Sequence, residues 1–116
     1  MPRFAILAHD HPAPHWDLFL EAGPVLRSWR LAAPLISGVA VAAEPTPEHR
    51  LAYLDYEGPV SGGRGTVTRV DTGTFSYQLD EQPERVVIQL TGKRFVGSLI
   101  IERAAGGWAC VFRPDD

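Results

Sequence analysis

The chain has 116 residues, 45% of them hydrophobic and 22% charged, which is enough for one real core and too little for two, so residues 1–116 are read as a single domain. A net charge of −3 and a pI near 5.7 lack the basic excess with which dedicated nucleic-acid binders neutralise phosphate. A lone cysteine, Cys110, excludes an internal disulfide, and no leader-like or membrane-spanning apolar run is present; a cytoplasmic monomer is the expectation.

Glycine and proline punctuate the sequence at short intervals, and no segment sustains a helical apolar period. Strands are predicted at 3–8, 15–22, 25–32, 38–43, 51–57, 65–70, 73–79, 85–90, 94–102 and 107–112. Thr46-Pro47-Glu48-His49 reads as one helical turn, with Thr46 as N-cap and Pro47 at the first helical position. Asp71-Thr72-Gly73 and Ala105-Gly106-Gly107 lie between apolar runs, as hairpin turns do. The fold class is therefore all-β, an antiparallel barrel or sandwich with short helical turns.

Function is best approached through the histidines. His9, His11 and His15 crowd into one short segment, with Asp17 just beyond and His49 downstream. Side chains alternate along a strand, so His15, Asp17, Phe19 and Glu21 share one face while Trp16, Leu18 and Leu20 share the core face. His-x-Asp on one face can direct an imidazole and a carboxylate at one ion, and Pro12 and Pro14 stiffen the loop back to His9. His49 and Tyr53 have matching parity in a later segment and can face the same pocket. Imidazole plus carboxylate suits Mn²⁺, Zn²⁺ or another divalent transition metal, and the absence of a cysteine cluster excludes a thiolate zinc site. The bland alternative is a set of surface or hydrogen-bonded histidines.

The residues His9-Asp10, His15-Trp16-Asp17-Leu18-Phe19-Leu20-Glu21 and Leu26-Arg27-Ser28-Trp29 resemble the 3′-phosphoesterase domain of bacterial DNA ligase D. The resemblance continues through Glu48–Tyr53, Asp55–Gly58, Gly65–Val67, Asp71–Thr74, Leu90–Gly97 and Trp108. It implies a β-barrel and a Mn²⁺-dependent enzyme of DNA repair. Such an enzyme removes a 3′-terminal ribonucleoside and then the 3′-phosphate, with a repair ligase or polymerase as a partner in trans. His9, His15, Asp17 and His49 coincide with the metal ligands and catalytic centre of that family, and Tyr53 with an active-site tyrosine.

Departures from the family pattern fall on the phosphate clamp. Phe19 stands where the family has an arginine, and Ala33 where it has a lysine. A phenyl ring offers none of the donors of a guanidinium fork. Arg27, Arg30, Arg64 and Arg69 are either substitutes for that clamp or solvated surface residues. Glu57 reads as a loop carboxylate bound to backbone N–H groups, Ser61–Gly65 as a weak phosphate-loop signal, and Cys110 as a small core residue. The leading expectation is a metal-dependent phosphoesterase acting on DNA 3′ ends or a related phosphate ester. The alternative is a weakened or inactive metal-binding module of a repair assembly.

Overall fold

A computed structural model describes residues 1–78 and 82–116. Its strands are β1 (Arg3–His9), β2 (His15–Ala22), β3 (Val25–Leu31), β4 (Val41–Arg50), β5 (Gly58–Pro59), β6 (Thr66–Tyr77), β7 (Arg85–Gly92), β8 (Val96–Ala104) and β9 (Gly107–Pro114), with a 3-10 turn at Leu51–Leu54. Hydrogen bonding runs in the order β1-β2-β3-β4-β9-β8-β7-β6-β5, and β1 also pairs with β6. That last pairing closes an antiparallel barrel of eight strands, with the two-residue β5 appended to β6.

Period-two alternation fills the barrel. Phe4, Ile6, Leu18, Leu20, Leu31, Phe75, Ile88, Leu90, Leu99 and Ile101 belong to the main core, with Trp29 edge-on to Trp108 at 5.0 Å between ring centroids. The intervening positions of β1, β2 and β3 point the other way. Ala5, Leu7, Phe19 and Leu26 meet Leu54 and Val67 in a second cluster, with Tyr53 and Val60 packed against it. The expected division of β2 into a Trp16-Leu18-Leu20 core face and a His15-Asp17-Phe19 face holds.

Three expected elements are overturned. Thr46–His49 is not a helical turn but part of β4, where Thr46 Oγ1 donates to Ser28 Oγ at 2.8 Å and His49 pairs with Leu26. The proline signal misleads because β4 pairs with β9 only over Val41–Ala43. Beyond that it is an edge strand, which tolerates the missing N–H of Pro45 and Pro47. The helical turn comes at Leu51–Leu54, inside the segment expected as a strand.

Asp71-Thr72-Gly73 is likewise no hairpin turn, because β6 runs straight through it and pairs with both β1 and β7. Asp71 is buried and accepts backbone N–H bonds from Thr72, Lys93, Arg94 and Phe95 at 2.8–3.1 Å, which fastens the β7–β8 turn. Gly73 is there for close approach: a Cβ would lie 2.1 Å from the Thr91 carbonyl oxygen. The Ala105-Gly106-Gly107 turn is present, joining β8 to β9 with Ala104 paired to Gly107. The predicted 73–79 strand runs in β6 to Tyr77, and its end at Leu79 lies outside the described residues. Among the described residues no helix is long and apolar enough to cross a membrane.

Candidate metal centre

His9 closes β1 and His15 opens β2, and antiparallel pairing sets the two directly opposite each other. Asp17 is two residues further along β2, hence on the same face. The ring centroids of His9 and His15 are 4.8 Å apart. His9 Nδ1 lies 3.6 Å from Asp17 Oδ2, and His15 Nε2 lies 3.3 Å from Asp17 Oδ1. One ligand-type atom from each of the three residues falls within 4.8 Å of the others.

The outward ring nitrogens decide what this cluster offers. His9 Nε2 is 2.8 Å from the Arg64 carbonyl oxygen, and His15 Nδ1 is 3.0 Å from that of Ala13. A carbonyl can only accept, so in the neutral ring the proton sits on the outward nitrogen and the inward one keeps its lone pair. Both lone pairs then face a carboxylate. His15 Nε2 is buried with no hydrogen-bond partner among the described residues. In that tautomer the two inward nitrogens and the Asp17 oxygens present a converging N,N,O donor set. Backbone carbonyls orienting histidines in this way are the usual outer support of a metal site. The residues present fit a divalent cation with N,N,O donors.

The glycine-rich segment builds part of this support. Gly62, Gly63 and Gly65 adopt positive φ, and a Cβ on Gly65 would lie 2.2 Å from Asp10 Oδ1. Asp10 Oδ1 accepts the Thr66 N–H at 2.7 Å, so the loop is clamped where its Arg64 carbonyl meets His9.

His49 and Tyr53 line the same cavity of about 390 Å³ as the His9-His15-Asp17 cluster, but His49 stands outside that cluster. Its ring is 5.0 Å from Phe19 and 5.6 Å from Tyr53, edge-on to the latter, and its Nδ1 is buried without a hydrogen-bond partner among the described residues. The two residues do not share a strand: His49 lies on β4 and Tyr53 on the 3-10 turn. Arg3 on β1 holds the end of that turn through a two-pronged bond to Asp55, whose carboxyl this hydrogen bond lowers below its ordinary range. Phe19 lines the cavity too, as its parity requires.

The arginines separate clearly. Arg27 donates to the Tyr77 hydroxyl, Arg64 folds back onto Ser61, and Arg69 engages Glu57 and the Asp55 carbonyl. Glu57 in turn accepts the Arg69 backbone N–H at 2.9 Å, as a loop carboxylate should. Arg30 differs: it sits across the β2–β3 ladder from Asp17, lines the metal cavity, and carries no hydrogen bond or ion pair among the described residues. Sequence reasoning grouped Arg30 with the others. The short Gly23-Pro24 connection sets the register that singles it out.

Residues 7–103 match the DNA ligase D 3′-phosphoesterase domain. The chain belongs to that family. It is 32% identical over 111 residues to the multifunctional non-homologous end joining DNA repair protein LigD of Mycobacterium tuberculosis H37Rv, and equally to the LigD protein of Mycobacterium bovis. These alignments cover 89% of this chain but only 15% of each relative. The kinship therefore concerns the 3′-phosphoesterase domain and not the other parts of those longer proteins.

Proposed function

We propose that this 3′-phosphoesterase-family domain is a divalent-metal-dependent phosphoesterase acting on phosphorylated DNA 3′ ends. The observation that carries the reading is the pair of carbonyl-oriented histidines whose bare nitrogens face Asp17. His9, His15 and Asp17 would hold the ion, with Mn²⁺ favoured by the family and Zn²⁺ also suited to the donors. A bound divalent ion polarises a phosphoryl oxygen and lowers the pKa of water.

The remaining roles belong to the chain. Asp17 would offset the cation's charge as its oxygen donor, while the Arg64 and Ala13 carbonyls fix the two imidazoles. Arg30 takes phosphoryl oxygens with its two-pronged donor set, in place of the arginine that Phe19 displaces. His49, on the β4 wall of the cavity, exchanges a proton with the substrate, and Tyr53 holds its ring edge-on. Phe19 gives the cavity an apolar wall beside His49. A cytoplasmic setting and a repair ligase or polymerase acting in trans complete the reading.

The test is metal content together with phosphate release from a 3′-phosphorylated primer. The protein should bind about one Mn²⁺ or Zn²⁺ per chain, and His15→Ala should weaken binding by more than the roughly 10–100-fold typical of an outer-support change. Equal metal content in both proteins would remove the basis of the site. The Phe19 substitution favours a second reading, a metal-binding module without turnover. One metal per chain with no phosphate release from the primer would select it.

A further inference from the structure

A second cavity, of about 360 Å³, adjoins the metal cavity and shares Tyr53 and Val60 with it. Its other walls include Arg50, Ala52 and Tyr56. Tyr53 and Tyr56 stand edge-to-face with centroids 6.3 Å apart, and the Arg50 guanidinium carbon lies 5.9 Å from the Tyr53 ring centre. The Tyr56 hydroxyl donates to the Pro59 carbonyl, which fixes the ring in place before any ligand arrives. Among the described residues no carboxylate lines this cavity, unlike the neighbouring one that holds Asp17. Aromatic rings and a guanidinium plane are instead what stacks on a flat π-system.

We propose that this cavity is a nucleobase subsite, receiving the base of the nucleotide whose phosphate lies in the metal cavity. The proposal rests on the phosphoesterase reading for the placement of the phosphate. Tyr53 and Val60 stand in the walls of both cavities, and this side-by-side placement argues for one ligand with an anionic end and a planar aromatic end. A single stacked base also accounts for recognition without a basic surface, since stacking tolerates a chain of net charge −3.

The experiment compares Mn²⁺-dependent phosphate release from two oligonucleotides with 3′-phosphate ends, one with a terminal base and one with an abasic terminal sugar. The wild type should favour the base-bearing end by about ten-fold in kcat/KM, the scale of one base–aromatic stack. Tyr56→Leu and Ala52→Glu should each erase that preference while leaving the abasic rate within about two-fold, and Tyr56→Phe, which keeps the ring, should retain it. Ala52 is exposed on the 3-10 turn, so its variant reports on the cavity even if Tyr56→Leu disturbs folding. Equal wild-type rates on the two ends, or a preference that survives both variants, overturns the subsite and leaves the phosphoesterase reading standing. If neither end is hydrolysed, the activity reading fails and the subsite is judged by titration with deoxyadenosine monophosphate against deoxyribose phosphate. Tighter binding of the nucleotide, lost in Ala52→Glu, supports it, and equal binding overturns it.

Discussion

Arg30 and Asp17 are direct partners across the β2–β3 ladder, so a guanidinium and a candidate metal ligand emerge side by side from one sheet face. Phe19, two residues from Asp17 on the same strand, holds the position from which the family's arginine would act. In the proposed reading Arg30 supplies, one strand to the side, the cation that Phe19 does not. Arg30→Ala should therefore lower kcat/KM for a 3′-phosphorylated primer by about two decades, the ~3 kcal/mol of one lost transition-state charge contact. Metal content should be unchanged, because no metal donor is removed. An equal rate in the variant would return Arg30 to the solvated surface.

Phe19→Arg tests the same exchange from the other side. Phe19 is buried against Leu26 and Leu54, and its ring touches those of His49 and Tyr53. An arginine there would gain a phosphate contact but lose core packing. Phosphate release should rise in the Arg30→Ala background, where the fork is missing, and should rise less in the wild type. Stability should fall by about 2–4 kcal/mol in either background, read from urea unfolding. A rate increase of the same size in both backgrounds would show that the two positions do not share a role.

The antiparallel β class and the shared face of His15, Asp17 and Phe19 were legible because both depend on local alternation, which a strand cannot evade. The closure into eight strands and the seating of His9 opposite His15 come instead from strand pairing. The β4 segment was not legible, because Thr46-Pro47 has the chemistry of a helix start and only the loss of the β9 partner makes proline harmless there. Asp71-Thr72-Gly73 has turn composition, yet its aspartate is used by backbone groups beyond residue 90. Such long-range bonds leave no periodic trace. The orientation of both histidines rests on carbonyls of Ala13 and Arg64, and backbone groups cannot be read as motifs at all.

Asp71 should be among the most sensitive positions outside the site. Its carboxylate satisfies backbone donors of Lys93, Arg94 and Phe95, and Asp71→Ala would strand them in and beside the core. A loss of about 3–5 kcal/mol is expected, with Asp71→Asn intermediate because one acceptor oxygen remains. Gly92→Ala should be damaging for the same reason, since its Cβ would fall 2.2 Å from Asp71 Oδ2. Urea midpoints measure all three variants. A near-neutral Gly92→Ala would mean that the Asp71 clamp yields more easily than its contacts imply.

Duplex DNA should bind weakly. The net charge is −3, and Arg3, Arg27, Arg64, Arg69 and Arg85 are engaged within the fold, which leaves only half of the ten arginines for phosphates. Counterion release scales with the number of phosphates neutralised, so the salt dependence should be shallow, with a log–log slope of about −1 to −2. Nanomolar affinity at physiological salt, with a steep slope, would require a basic face that these contacts do not leave.

Cys110 provides a prediction in pH. Its thiol is buried in the main core beside Ile101, and burial pushes its pKa from the ordinary value of 9.0 to about 12. The folded state therefore holds the proton at pH values where the unfolded chain has lost it. The thiol's contribution is fully present below pH 9 and is lost as pH rises from about 9 to about 12. Over that window wild-type stability should fall more steeply than that of Cys110→Ala, with a difference approaching about 1.4 kcal/mol per pH unit. Removing the sulfur leaves a small void that lowers stability at every pH, so the comparison rests on slopes rather than absolute values. Alkylation of the native protein at pH 8 should be slow and limited by opening of the barrel, because the reactive thiolate is scarce in the fold. Parallel slopes for the two proteins, with rapid native alkylation, would place Cys110 in contact with solvent rather than in the core.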